Sequence, residues 1–317
     1  MEYNRLGQTD LVVSKLCFGA LTIGPLQRNM PIEVGAEIIR HALSLGVNFI
    51  DTAELYGTYS YIKAALEKIN LDNIIIATKC YAYTKECMKD SLEKALRELK
   101  RDYIDIFLLH EQESALTLKG HEEALDYLWE AKKAGLVRAI GLSTHTVEGV
   151  IAGAECDKIE IIHPLVNKMG IGIKGGSLED MLKAIEYAHK QGKGLYGMKP
   201  LGGGYLYNDV EDALKFAFNN PNLASVAVGM QSKEEVEMNI LIASGKPIPQ
   251  NLKNRVKAKP RKIVFSNSCE GCGSCAARCP NQAITVETGL AQHIDSNKCV
   301  LCGYCVAACP EFLIKII

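Results

Sequence analysis

Four residues in the first third of the chain carry complementary proton chemistry. Asp51 follows the apolar run "VNFI", Tyr56 lies five residues on in "DTAELYG", Lys79 ends "IIIATK", and His110 ends "IDIFLLH". A phenol with a pKa near ~10 is a poor donor at neutral pH. A nearby ammonium lowers that value, and a carboxylate holds the ammonium charged and in place. An imidazole beside them can hydrogen-bond a substrate carbonyl and fix its direction. Together the set reads as a device that protonates a carbonyl as it is reduced, with Tyr56 the acid that stabilises the developing alkoxide. Each residue alone has an ordinary reading: a helix-capping Asp, a rim Tyr, a solvated Lys, a satisfied core His. Four complementary types at successive run ends favour the chemical one.

A second centre lies near the other end. "CEGCGSCAARCP" at 269–280 is followed by "CVLCGYCVAACP" at 299–310. Both runs follow C-x2-C-x2-C-x3-C-P, which resembles the bacterial two-cluster ferredoxins, where the fourth Cys of each run serves the other 4Fe-4S cluster. That resemblance covers roughly residues 261–317, with "AITVE" and "FLIKI" as strands completing the duplicated unit. It implies one cluster on Cys269, Cys272, Cys275 and Cys309, and a second on Cys299, Cys302, Cys305 and Cys279. Zinc is the alternative, but zinc ligands come as two C-x2-C pairs separated by a longer loop. A domain this small has little core of its own, so cluster ligation must supply much of its stability. The clusters can thus be structural as well as redox-active. The other cysteines, Cys17, Cys80, Cys87 and Cys156, are scattered and read as buried small hydrophobes.

The elements that must position the first set are regular. Apolar runs "KLCFGAL", "VNFIDTA", "NIIIATKCY", "YIDIFLLH", "VRAIGLS", "IEIIHPLV", "GLYGMKP" and "ASVAVGM" alternate with amphipathic stretches such as "YIKAALEKIN" and "MKDSLEKALRELK". In the latter, Leu92, Ala95, Leu96 and Leu99 recur at helical spacing. Strand–helix alternation builds parallel βαβ units. Eight pairs within residues 1–243 predict an α/β fold, a (β/α)8 TIM barrel, entered through an N-terminal β-hairpin that turns near Leu6-Gly7-Gln8. An open doubly wound sheet would call for G-x-G-x-x-G after the first strand, and "FGALTIG" is not that. Residues 244–260 begin a linker stretch, "SGKPIPQNLKNRVKAKPRKIVF", with seven Lys/Arg, three prolines and no acids. It reads as extended and solvated, or as a basic edge that attracts an acidic electron-carrier protein. Residues 261–317 then form a small α+β ferredoxin-like domain.

"DTAELYG", "ATK" and "LLH" after strands two, three and four resemble the tetrad of the aldo-keto reductases, over residues 1–243. The resemblance implies NADP- or NAD-dependent reduction of a small-molecule carbonyl by Asp51, Tyr56, Lys79 and His110, without a metal in the barrel, and a bottom plug made by the hairpin. It also implies nucleotide contacts. "KPLGGGYL", with Leu201, Gly202, Gly203 and Gly204, resembles the pyrophosphate loop, where glycines let backbone N–H groups approach phosphate. Ser143 matches the residue that holds the carboxamide, with Thr144 in place of the usual Asn. His163 stands where Gln is common, and Met198 replaces the aromatic that stacks on nicotinamide. "GMQSKEEVEMN", with Gly229 and Asn239, resembles the adenosine segment, with Ser232 where Arg often grips a 2′-phosphate.

The totals are those of an ordinary soluble protein. The 317 residues are 48% hydrophobic and 23% charged, with a net charge of −1. Nothing in the bulk charge points to nucleic acid or membrane, and no signal peptide or spanning run is visible. Clustered cysteines with no such segment predict the cytoplasm. Two readings of function follow. One is an NAD(P)-dependent carbonyl reductase carrying an electron-transfer domain. The other is a ferredoxin-type electron-transfer protein whose barrel docks a partner, or holds a flavin or a radical-forming substrate. Anaerobic preparations should contain about eight iron and eight sulfide per chain; iron near four, or stoichiometric zinc, would contradict the ligand pairing.

Overall fold

The computed structural model describes residues 1–69, 73–287 and 290–317. The chain opens on an antiparallel hairpin, β1 (Tyr3–Arg5) with β2 (Val12–Ser14). The eight expected strands follow as β3 (Leu16–Gly19), β4 (Phe49–Asp51), β5 (Ile75–Cys80), β6 (Ile104–Leu109), β7 (Val137–Thr144), β8 (Ile161–Pro164), β9 (Gly194–Gly197) and β10 (Ser225–Gly229). They close into a parallel barrel in chain order, with β10 returning to β3. Around it run α1 (Ile32–Ser44), α2 (Tyr59–Leu66), α3 (Lys85–Leu99), α4 (Ala115–Gly120), α5 (Glu122–Lys133), α6 (Val147–Glu155), α7 (Leu178–Lys190), α8 (Val210–Phe218) and α9 (Lys233–Ala243). The expected end of the second helix at Asn70 lies outside the described residues. Among these helices, α4 alone went unforeseen. Its signal was Ser114, whose side chain accepts from the Thr117 N–H while Thr117 accepts from Ser114 in return.

Two-residue alternation decides what enters the barrel. Phe49, Ile75, Ala77, Ile106, Leu108, Ala139, Ile161, Tyr196 and Ala227 pack together inside, with Leu6, Leu11 and Val13 of the hairpin closing the bottom. The intervening strand residues, such as Ile50, Ile76, Phe107 and Ile140, face the helices in the larger cluster. Continuing the inward set by two residues from Phe49, Ala77, Leu108 and Ile161 reaches Asp51, Lys79, His110 and His163. The parity that fills the core therefore aims these side chains at the barrel axis.

Residues 244–260 depart from the extended linker. Gln250–Lys257 form a helix, α10, that buries Leu252 and Val256 against the barrel. Pro249 sits at its N-cap, and the two apolar residues are one helical turn apart. The basic edge is also largely neutralised by the barrel's own acids. Lys253 pairs with Glu211, Arg255 with Glu237, Lys259 with Glu234 and Arg261 with Glu235.

The small domain is a duplicated unit. Helix α11 (Ser274–Arg278) and helix α12 (Tyr304–Ala308) each start after a left-handed glycine, Gly273 and Gly303, both at φ 79°. Strand β11 (Ile263–Phe265) pairs with β14 (Ile314–Ile316), and β12 (Ile284–Glu287) with β13 (Leu290–Ile294). Among the described residues this domain has no core separate from the barrel. Cys275, Ile284, Cys305, Val306, Phe312, Ile314 and Ile316 form one apolar cluster with Leu165 and Met198 of the barrel mouth. The closest approach is at Gly203 and Gly204, both at positive φ. A Cβ on Gly204 would lie 2.1 Å from the Ile316 carbonyl oxygen, and one on Gly203 would lie 2.9 Å from the Phe312 ring. Gly204→Val should therefore loosen the docking by about 1–3 kcal/mol. The checks are faster proteolysis between residues 257 and 263 and a separate early thermal transition. Wild-type behaviour in both would remove this contact from the docking.

Candidate active site and cluster domain

Four inward-facing groups meet at the C-terminal end of the barrel. Lys79, only 1% exposed, donates to both Asp51 carboxylate oxygens at 2.9 Å and to the Thr52 carbonyl at 2.6 Å. Tyr196 donates its hydroxyl to Asp51 Oδ1 at 2.9 Å. So all three ammonium protons are placed, and the carboxylate is fully engaged. Breaking such a buried pair on one side typically costs 3–5 kcal/mol. Lys79 Nζ lies 5.0 Å from the centroid of the Tyr56 ring. Tyr56 in turn meets His110 edge-on, with centroids 5.7 Å apart, and Tyr81 stacks on the other side of His110 at 4.4 Å.

The electrostatics differ from the sequence expectation in one respect. Burial pushes the Tyr56 phenol well above its ordinary value, and the negative charges of Asp51 and Glu111 push the same way. Lys79 is not among the main influences on this phenol. Tyr56 is consequently a neutral phenol with its proton in place. Burial, followed by the positive charges of Lys79 and Lys199, drives His110 well below its ordinary value. His110 is thus a neutral imidazole, and its Nδ1 makes no hydrogen bond among the described residues.

The mouth cavity above this centre is lined by Asp51, Tyr56, His163, Met198, Leu201, Gly203, Gly204 and Gly229, and also by Lys315, Ile316 and Ile317 from the small domain. Ser143 and His163 are direct partners across β7 and β8. His163 Nδ1 donates to the Tyr196 carbonyl at 2.6 Å, and burial brings the ring to a pKa of about 4, which leaves Nε2 as an acceptor. Ser143 Oγ accepts from the Glu111 N–H at 3.0 Å, which leaves its O–H free to donate. One donor beside one acceptor matches a carboxamide. Asn239, in α9, is buried with Oδ1 unpartnered among the described residues.

The glycine loop lies at the cavity rim, lined there by Leu201, Gly203 and Gly204. The Gly202 N–H donates to the Lys199 carbonyl and the Gly204 N–H to the Leu201 carbonyl, and the small domain packs on Gly203 and Gly204. Those two N–H groups are used within the loop itself. Several residues of the site were not singled out from sequence: Tyr196, Tyr81, Glu111, Lys199 and Lys315. The inward parity of β9 was the available signal for Tyr196.

In the small domain, Cys279, Cys299, Cys302 and Cys305 line one cavity. Burial raises the Cys275 thiol, and the sulfurs of Cys269 and Cys309 push the same way. Cys309 of the second run thus acts on Cys275 of the first, and Cys279 of the first run shares a cavity with Cys299, Cys302 and Cys305 of the second. The fourth cysteines are equivalent: Cys279 Sγ accepts from the Ala283 N–H and Cys309 Sγ from the Leu313 N–H, each at 3.3 Å. Among the described residues no group of three or more His, Cys, Asp or Glu side chains is placed to hold a single metal ion. Of the scattered cysteines, Cys17 and Cys80 are buried as expected, but Cys87 is exposed and Cys156 half-buried.

Comparison with known proteins agrees with this division. A model of the aldo/keto reductase family matches residues 15–212, and a 4Fe-4S dicluster domain model matches residues 268–314. L-Galactose dehydrogenase of Arabidopsis thaliana is 24% identical over 288 residues, 76% of this chain and 87% of its own length. Aldo-keto reductase YhdN of Bacillus subtilis is 28% identical, over 53% of this chain and 54% of its own. The chain thus spans about half the length of that relative. A Pseudomonas aeruginosa structure assigned to the aldo-keto reductases superposes with a TM-score of 0.66 at 26% identity, covering 77% of this chain and 94% of its own.

Tyr56→Phe removes the proton and little else. It should lower carbonyl reduction by roughly 10²–10⁴-fold with cofactor affinity within a few-fold, and retained turnover would take the acid role from Tyr56. The rate should also be level from about pH 6 to 8, since His110 is neutral throughout that span and Tyr56 protonated. A break near pH 6.5 that vanishes in His110→Gln would reverse that assignment.

Proposed function

The chain belongs to the aldo/keto reductase family, and we propose that it reduces a small carbonyl compound at the barrel mouth, using NADP or NAD and coupled to two 4Fe-4S clusters in the appended domain. The observation that carries this reading is the convergence of Asp51, Lys79, Tyr56 and His110 beneath one cavity. Tyr56 holds the proton that the substrate oxygen needs as negative charge develops on it. Lys79 and Asp51 keep the floor of the site rigid and close to neutral. His110, as a neutral N–H donor, orients the carbonyl. Ser143 and His163 would hold a carboxamide, and Gly229 and Asn239 lie towards the adenosine end. When bound, a reduced nicotinamide supplies hydride and the clusters supply single electrons.

An oxidoreductase with this pair of centres works in a reducing compartment, and the cytoplasm fits its unpaired cysteines. Among the described residues no helix is long and apolar enough to cross a membrane. The second reading, an electron-transfer protein whose barrel docks a partner or takes a flavin or a radical-forming substrate, is favoured by one observation: the small domain covers Gly203 and Gly204. An external electron-carrier protein is compatible with either reading. The two part company on anaerobic titration of the iron-loaded protein with NADPH and with NADH. Bleaching of the broad cluster absorbance near neutral pH supports nicotinamide coupling. No bleaching, together with no NAD(P)H-driven reduction of any carbonyl in a metabolite screen, overturns it in favour of the second.

A further inference from the structure

Among the described residues, two lysines at the seam between the domains have no acid partner. Lys199 directly follows Met198 at the end of the β9 segment, with φ at 54°, a conformation that is strained for a side-chain-bearing residue. Its ammonium is 2.8 Å from His145 Nε2 and 5.0 Å from the centroid of the Phe312 ring. Lys315, on β14, lies 3.4 Å from the centroid of the same ring and donates to the Phe312 carbonyl. Both lysines line the mouth cavity that also holds Asp51, Tyr56 and His163.

The other cations around this mouth are matched. Lys79 has Asp51, Arg261 has Glu235, and Lys174 has Glu311. Glu111 is the carboxylate nearest in influence to Lys199, but it accepts the Tyr81 hydroxyl at 2.7 Å and stands 3.7 Å from His145. Both lysines are half-buried, and each lines the cavity in part. Burial brings Lys199 down to about 8, and burial together with the Lys199 charge drives Lys315 well below its ordinary value. Two like charges brought together out of water are unfavourable, and one aromatic face offsets only part of that. An anion between them would relieve both the repulsion and the missing partner.

We propose that Lys199 and Lys315, one from each domain, form a composite anion site that holds a phosphate or carboxylate group of a ligand seated in the mouth cavity next to Tyr56. The inference rests on reading that cavity as the active site. It makes the docked small domain part of ligand recognition as well as of redox chemistry. The shared chemistry has two sources: the diphosphate of a dinucleotide, or a carboxylate beside the carbonyl that is reduced. The cavity measures about 160 Å³, below the ~300–1,000 Å³ of pockets for drug-sized ligands. A small carboxylate therefore enters this closed arrangement more easily than a whole dinucleotide.

Calorimetric titration of the full-length, iron-loaded protein tests the site. The probes are inorganic pyrophosphate, oxamate, and acetamide as the neutral control. Wild type should bind at least one anion, and Lys199→Met and Lys315→Met should each weaken it by about tenfold or more, with acetamide unaffected. Methionine keeps an unbranched stem on Phe312, and unchanged iron content shows that each variant is folded. Lys199→Arg should recover most of the affinity. A response to pyrophosphate alone assigns the site to a cofactor phosphate, and a response to oxamate assigns it to a substrate carboxylate. Equal anion affinity in wild type and both methionine variants, or no anion binding by wild type, overturns the proposal. Failure of the carbonyl-reductase reading is a separate outcome, since it shows in the NAD(P)H titrations while lysine-dependent anion binding persists.

Discussion

The backbone contact between Ile316 and Gly204 is the constraint on which the upper half of the molecule depends. A Cβ at residue 204 would stand 2.1 Å from the Ile316 oxygen, so only glycine allows strand and loop to touch. Because they touch, Phe312 and Ile316 can share a core with Leu165 and Met198. Because that core is shared, Lys315 reaches a cavity whose floor is Asp51 and Tyr56. A three-glycine loop suggests phosphate binding when read from sequence. In the fold its glycines serve a second requirement, close approach of another backbone, and hydrogen-bond geometry separates the two. An N–H that donates within its own turn is not available to a ligand.

Below that seam, the barrel solves a different problem. It must keep a carboxylate and an ammonium buried while leaving a phenol neutral. The bonds from Lys79 and Tyr196 give Asp51 its partners. His163 stacks on Tyr196 at 3.8 Å and stays uncharged, so no second cation competes for the carboxylate. With Asp51 and Lys79 matched, the strongest influence on Tyr56 is the loss of water. That raises its pKa and keeps the proton on oxygen until a substrate demands it. The arrangement trades easy ionisation of the phenol for a defined proton position. This suits an acid that acts only when charge develops nearby.

Much of this was legible beforehand, for a physical reason. Strand parity is local, so the inward row that ends in Lys79 or His110 can be counted along the chain. The same holds for the cysteine runs, whose spacing encodes their geometry. What escaped the sequence depends on contacts between distant residues. Tyr196 meets Asp51 across 145 positions, and nothing local in either segment marks the pair. Helix α10 was hidden by flanking prolines and a run of positive charge. Its cations make sense only beside Glu211, Glu234, Glu235 and Glu237 on the barrel's outer helices. The meeting of Lys199 with Lys315 is the extreme case, because it exists only once two domains with separate signatures have docked.

That docking also explains why the small domain is not a free tether. Its 57 residues are too few for a large core of their own, and Phe312, Ile314 and Ile316 share a cluster with Leu165 and Met198 of the barrel. The connection is braced along its length: Leu252 and Val256 are buried, and four cations are held by acids. Surface ion pairs are individually worth little, but here they lie along a segment already fixed by apolar burial, so they act together on its direction. A domain held in this way ties the last cysteine of its second run, Cys309, to the cavity, because Phe312 is three residues further on and its N–H donates to the Cys309 carbonyl at 3.1 Å. The ring that both lysines approach is thus anchored to the last cysteine of the second run. Whatever group lies between Lys199 and Lys315 therefore shares one rigid frame with the cysteine set to which Cys309 belongs.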